Sequence, residues 1–267
     1  MDGVEKTGAA KASEKRPRRV PVAAWRISRG RTGGTTISDM LIQMGRAEGR
    51  KIIIVDGDLR NSTLSGLYPP GTEDGAMRPP SDDLVDMKEL CTTALAKAVG
   101  TQSSMVVDLG GGDRLLQEYG REMALVELCE GMGMAPLALY ASGPEMDDFE
   151  HILSIWRSEV FRPQRSILFL NEHLVPHGRS PAGAFTAITE RLELKEMIRD
   201  GLKVIVLPRL PSMVQVREAG LSLIDAMDGK PGKQALPLDP VRQFLVKQWL
   251  TKIREAFVAK DILEWLP

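Results

Sequence analysis

A doubly wound α/β domain, with a mostly parallel sheet held between two layers of helices, is the fold class this sequence predicts. Three observations predict it. Six short apolar runs recur along the chain without polar alternation, as strands covered on both faces do. Helix-patterned segments lie between them, which calls for parallel strands joined by right-handed crossovers. No linker-like stretch divides residues 20–267, so they form one domain.

Taken in order, residues 1–19 are polar and carry Lys6, Lys11, Lys15, Arg16, Arg18 and Arg19. They hold too little apolar surface to order themselves and read as a disordered basic tail, either solvated or an arm that touches nucleic acid or a partner. VPVAAWRI (20–27) reads as the first buried strand and KIIIVDGD (51–58) as the second, ending in two acids. SSMVVDLGG (103–111), APLALYAS (135–142), RSILFLNE (165–172) and LKVIVLPRL (202–210) follow. All are rich in apolar residues and bounded by Gly, Pro or polar residues. Helical spacing falls over 36–47, with Ile37, Met40, Leu41 and Met44 on one face, and over 82–99, 113–131, 146–160, 183–199 and 213–228. Ser81, Asp113 and Ser212 stand where N-caps are expected. Residues 61–82, with Pro69, Pro70, Pro79 and Pro80, read as a long surface loop. A final amphipathic helix over 240–258 opens at Pro240. Its Phe244, Leu245, Trp249, Leu250, Ile253 and Phe257 read as core packing, or more sharply as a face for a partner.

Composition removes several function classes. With 35 basic and 36 acidic residues the net charge is -1, so any contact with DNA needs a local patch of basic residues and would be non-specific. Aromatic residues, at 5%, give no stacking platform for single strands. The two cysteines, Cys91 and Cys129, form neither a disulfide framework nor a zinc spacing and suit a reducing, cytoplasmic compartment. No run approaches the roughly 20 apolar residues of a membrane span, so no integral membrane association is expected. Of His151, His173 and His177, the last two are four apart, but Pro176 between them argues against one helical face and against a metal site.

The chemistry is concentrated where such a sheet binds ligands, outside the carboxyl ends of its strands. SRGRTGGTT, Ser28 to Thr36, is a Gly-rich turn entering a helix, which offers backbone N–H groups and a positive helix end to an anion. DGD, Asp56 to Asp58, ends the second strand, and Asp108 ends MVVD before LGGGD. A phosphate loop, an acid on a neighbouring strand and a Thr opening the helix form a Mg-nucleotide constellation. Thr35, Asp58 and Asp108 are the metal candidates, and Gly30, Arg31, Thr32, Gly33, Gly34, Thr35 and Thr36 the phosphate candidates.

Over nearly the whole of 20–230 the chain resembles the ParA/MinD family of deviant-Walker P-loop ATPases. Against the family's GKGGVGKTT stands SRGRTGGTT: Gly30, Gly33, Thr35 and Thr36 match, Ser28 and Arg31 replace glycines, Arg29 replaces the signature Lys, and Gly34 replaces the Walker Lys. The resemblance carries the acid tied to hydrolysis to Asp58, the switch region to Asn61 and Thr63, and the Walker B acid to Asp108. It carries the adenine-side Asn to Asn171, and through LPRLP (207–211) it sets Pro208 beside the base. It implies ATP or ADP with Mg2+ as ligands and a homodimer as the working form. DGDLRNSTL and VVDLGGGD are most similar to the branch encoded on conjugative and mobilisable plasmids, which implies a plasmid-encoded partner. A competing branch comprises degenerate MinD-like proteins that place cellulose-synthesis or pilus machinery at a cell pole and implies a polar protein partner.

Loss of the lysine removes a charge-assisted contact of about 1.5–3 kcal/mol, a tenfold to 150-fold loss of affinity by order of magnitude. Binding survives such a loss more easily than hydrolysis, which relies on positive charge at the γ-phosphate. Arg29 is the candidate to act in trans across a nucleotide-sandwiched dimer, and Arg31 in cis; the plainer reading of both is a solvated arginine. The expected catalytic residues are thus Asp58 and Arg29. Three function classes follow: an ATPase switch in plasmid maintenance or DNA transfer, a nucleotide-independent adaptor, and an enzyme that uses the fold for synthesis, for which no added ligand or nucleophile pattern stands out.

Overall fold

The computed structural model describes residues 19–109 and 113–267. The tail expected over 1–19 therefore lies outside the described residues except for Arg19, whose guanidinium meets Glu264 at 2.5 Å.

Seven parallel strands form one sheet in the order β3-β2-β4-β1-β5-β6-β7. They are β1 (Val22–Ile27), β2 (Ile52–Asp56), β3 (Ala76–Met77), β4 (Ser104–Asp108), β5 (Ala135–Ser142), β6 (Arg165–Asn171) and β7 (Lys203–Leu207). The chain leaves β1 toward β2 and β3, returns to insert β4, and then crosses β1 to build β5, β6 and β7, so β1 lies where the winding reverses. Because side chains alternate along each strand, the sheet feeds two separate cores. Ala24, Ile54, Val106, Leu139 and Phe169 pack on the face to which helix α1 (Gly34–Ala47) belongs. Ala23, Trp25, Val55, Val107 and Leu168 pack on the other face with later helices. Burial of each large side chain contributes about 1.5–3 kcal/mol before entropy, and it does so on both faces of the sheet.

The remaining helices are α2 (Thr63–Leu67), α3 (Leu84–Thr101), α4 (Asp113–Met123), α5 (Leu125–Gly131), α6 (Met146–Ser158), α7 (Pro181–Ala184), α8 (Thr186–Thr189), α9 (Leu192–Arg199), α10 (Met213–Glu218), α11 (Leu223–Met227) and α12 (Pro240–Ala259). Several depart from the sequence reading. The stretch 61–82 is not only loop: it holds α2, anchored by fully buried Leu64, and β3, which pairs Ile54 with Ala76 and Val55 with Met77. A two-residue strand is too short to show a period. The segment 113–131 breaks at Ala124, whose φ of 44° lies in the left-handed region, so that Leu125 and Cys129 both turn inward. The segment 213–228 breaks at Gly220, φ 65°, where glycine meets no such penalty. Ser81 is not the cap of α3; Asp83 is, and the Ser81 hydroxyl instead donates to Asp86 Oδ2 at 2.5 Å. Ser212 holds the cap position of α10 without a side-chain capping bond, and the side chain of Asp113 lies outside the described residues. On α12, Asp239 caps the helix by accepting from the Val241 and Arg242 amides at 3.1 and 3.0 Å. Trp249, Leu250, Ile253 and Phe257 pack into the core while Phe244 points outward. None of the described helices is long and apolar enough to cross a membrane.

Candidate functional site

The strands β2, β4 and β1 are neighbours, so Asp58, Asp108 and the loop after Ile27 emerge from adjacent strands at one end of the sheet. The loop between Ser28 and Gly33 turns tightly into the first turn of α1, a helix of 14 residues. The Thr32 hydroxyl donates to the Arg29 carbonyl at 2.9 Å and closes the turn. Two residues take left-handed backbone, Gly33 at φ 85° and Arg31 at φ 70°. At Gly33 glycine is required twice over, because a Cβ there would also stand 2.2 Å from Asn171 Nδ2. Arg31 occupies a glycine position of the family pattern and takes the conformation that makes glycine suitable there. Gly30 has open space around it, and Thr35 and Thr36 stand half-buried in the first turn of α1. Backbone N–H groups at this helix end suit an anion.

Arg26, on β1, is the residue sequence reading missed. Strand pairing sets it beside Asp108, and Asp108 beside Asp56, so the three share one face of the sheet, the face covered by α1. Its Nε and Nη2 donate to Asp108 Oδ1 at 2.8 and 2.6 Å. Its Nη1 donates to Ser28 Oγ at 2.9 Å and reaches the Ser28 carbonyl at 3.3 Å. The side chains of Arg26 and Asp108 are 4% and 1% exposed, so this is a sealed ion pair. It lies directly beneath Gly34. A Cβ at Gly34 would stand 2.4 Å from Arg26 Cδ, 2.8 Å from Nε and 2.9 Å from Ser28 Oγ. Glycine at position 34 and the arginine on β1 thus fit one another: the space a Cβ would take at position 34 is filled by the Arg26 side chain from the strand below. The available signal was the arginine in VPVAAWRI, a charge inside an otherwise apolar run.

The two acids after β2 differ in use. Asp56 is buried and structural: Oδ2 accepts from the Ser65 amide at 2.7 Å and hydroxyl at 2.6 Å, and Oδ1 accepts from the Asp58 amide at 3.2 Å. Asp58 is half-exposed, and its Oδ1 accepts from the Arg60 and Asn61 amides at 3.1 and 2.9 Å. That turn sets Asp58 on the wall of a cavity of about 420 Å³, with Gly57, Arg60, Asp83 and Arg114.

Arg29 points away from the loop toward the start of α6, where Asp147 and Asp148 lie at 3.7 and 3.8 Å. Arg31 is exposed and lines a cavity of about 250 Å³ with Thr36, Asn171, Pro208, Leu210 and Trp249. Asn171 is engaged within the protein: Nδ2 donates to the Thr32 carbonyl at 3.0 Å and Oδ1 accepts from the His173 amide at 3.1 Å. It therefore clamps the loop to the end of β6. Pro208 is held by the Trp249 indole, which donates to its carbonyl at 2.6 Å. Burial pushes the Cys91 and Cys129 thiols up to about 12, which leaves them neutral and poor nucleophiles or ligands.

The arrangement suits an anionic ligand with an apolar body, with loop amides for the charge and the cavity beside Pro208 for the rest. It suits a divalent cation poorly. Asp108 turns one oxygen to two nitrogens of a buried guanidinium, and among the described residues no group of three or more His, Cys, Asp or Glu is gathered to hold a metal ion.

No protein-family model and no curated protein matches the chain. Among solved structures it is similar to a chain of the MinC:MinD cell division protein complex of Aquifex aeolicus. That match has 13% identity and a TM-score of 0.49, and covers 86% of this chain and 96% of that one. It is also similar to the MinD cell division protein of Aquifex aeolicus, at 14% identity and a TM-score of 0.46, covering 86% and 97%.

Proposed function

We propose that the chain is a ParA/MinD-like dimerising switch that takes up ATP or ADP and turns it over weakly or not at all. Its setting, by the resemblance of DGDLRNSTL and VVDLGGGD, is plasmid maintenance or conjugal DNA transfer. The observation that carries the reading is the Arg26–Asp108 pair seated under Gly34. It supplies the loop with a cation but engages that cation with the neighbouring acid, so the γ-phosphate would lack the mobile positive charge on which phosphoryl transfer depends. Amides from Gly30 to Thr36 would hold the phosphates and Pro208 would border the base. Asp58 and Arg29 would retain whatever catalysis remains, Arg29 by leaving Asp147 and Asp148 for a partner's nucleotide.

The same pair favours a second reading, a nucleotide-independent adaptor for a polar cell-envelope machine, because it stabilises the loop with no ligand. Binding of a fluorescent ATP analogue, phosphate release and light-scattering mass with and without ATP separate the two. The switch reading expects binding by millimolar ligand, a shift toward dimer, and phosphate release near background. Absence of binding together with an unchanged mass would replace it by the adaptor. Rapid steady phosphate release would contradict both.

A further inference from the structure

We propose that the Arg26 guanidinium occupies the seat a divalent cation takes at Asp108, so that this chain binds nucleotide without Mg2+. The nucleotide half of this statement rests on the switch reading above; the cation half does not. Three observations lead to it. Asp108 is sealed from solvent, and its Oδ1 receives both Nε and Nη2 of Arg26. A metal ion beside that oxygen would sit against a buried positive charge with no water to screen it. Arg26 cannot readily swing aside, because Nη1 is tied to Ser28 and the path on the loop side is closed by α1 at Gly34. The pairing also fits position 34: a Cβ there would stand 2.4 Å from Arg26 Cδ, so glycine leaves room for the arginine, and the guanidinium balances charge on the buried Asp108 carboxylate. Arg26 is thus a positioning residue. It ties the Asp108 carboxylate to Ser28 at the floor of the loop.

Two measurements test this. In the first, the affinity of the full chain for a fluorescent ATP analogue is compared in Mg2+ and in EDTA. The expected change is within about twofold, whereas a tightening by Mg2+ of about tenfold or more overturns the proposal. In the second, no nucleotide is present. Thermal midpoints of the wild type, Arg26→Met and the double variant Arg26→Met with Asp108→Asn are compared with and without millimolar Mg2+. Only Arg26→Met is expected to rise with Mg2+, since the Asp108 oxygen released by the guanidinium accepts the ion and binding to the native state alone raises the midpoint. A wild type that rises, or an Arg26→Met protein that does not, overturns the proposal. Arg26→Gln, neutral and close in shape, takes its place if the Met variant does not fold. Failure of nucleotide to bind under either condition would strike the switch reading alone, and the midpoints would still decide whether the arginine holds the cation seat.

Discussion

Two acid–arginine pairs lie buried on the same face of this sheet, and they are built differently. Arg26–Asp108 is sealed, 4% and 1% exposed, with two guanidinium nitrogens on one carboxylate oxygen and Ser28 as a further partner of the guanidinium. Asp39, in the middle of α1, is the centre of a distributed network. Its Oδ1 accepts from Gln43 Nε2 and from the Tyr68 hydroxyl, both at 2.7 Å, and Oδ2 meets Arg217 Nη2 at 2.7 Å. Gln43 passes the connection on, accepting from the Leu223 amide at 2.6 Å, and Arg217 keeps 26% of its side chain in solvent. Burial, then the nearby Asp39 charge, pushes the Tyr68 hydroxyl above its ordinary range, so it stays a donor. A carboxylate shared among several donors tolerates the loss of one. A carboxylate sealed from water against a buried guanidinium tolerates the loss of that charge poorly.

The largest effect is therefore expected at Arg26. Arg26→Met should lose about 3–5 kcal/mol of stability in urea unfolding, because it takes the guanidinium from a buried carboxylate. Arg26→Met combined with Asp108→Leu should recover most of that loss, since an apolar pair replaces the ionic one. A double variant as unstable as the single one would show that the charge left on Asp108 is not the source of the loss. Next in size, Asp39→Asn should cost about 1–3 kcal/mol, because the amide still accepts from Gln43 and Tyr68 while the contact with Arg217 weakens. Equal losses for Arg26→Met and Asp39→Asn would erase the contrast between the two pairs.

Gly34→Lys sharpens the same contrast from the loop side. A lysine at position 34 would follow the phosphate-loop pattern that SRGRTGGTT resembles, yet its Cβ would meet Arg26 Cδ at 2.4 Å, and Arg26 is held at its other end by Asp108 and Ser28. The single variant should lose about 1–3 kcal/mol through overpacking. Adding Arg26→Met should relieve it, with the new lysine close to Asp108. Additive losses in that double variant would show that positions 26 and 34 do not share one space.

This limit is also where sequence reading stopped. The α/β architecture was legible because each long strand is an uninterrupted apolar run, and six such runs recur between helical patterns. Gly33 and the acids at the ends of β2 and β4 were legible because turn chemistry and strand ends have local signatures. The two-residue β3 and the left-handed break at Ala124 had none, since both depend on contacts made elsewhere. Arg26 lay within VPVAAWRI as an exception to the pattern, but its partner is 82 residues away, and only the pairing of β1 with β4 brings them together. Asn171 was read as a base-side residue; its carboxamide is engaged by Thr32 and His173, a local detail that no spacing encodes.

The smallest expected effect separates conformation from charge within the loop itself. Arg31 holds φ 70°, a region that costs a residue with a Cβ about 1–2 kcal/mol. Glycine would remove that strain but give back about 0.5–1 kcal/mol through the freer unfolded chain. Arg31→Gly should therefore stabilise the fold by no more than about 1.5 kcal/mol, measured as a small rise in the urea midpoint. The affinity for a fluorescent ATP analogue then reads the side chain alone. If the guanidinium meets phosphate in cis, affinity should fall about tenfold while stability rises. Affinity that stays level would leave Arg31 a solvated arginine on a strained turn and put the loop's cationic character in Arg26 and the helix end. A loss of stability would mean instead that the arginine side chain, not the backbone at position 31, holds the turn closed.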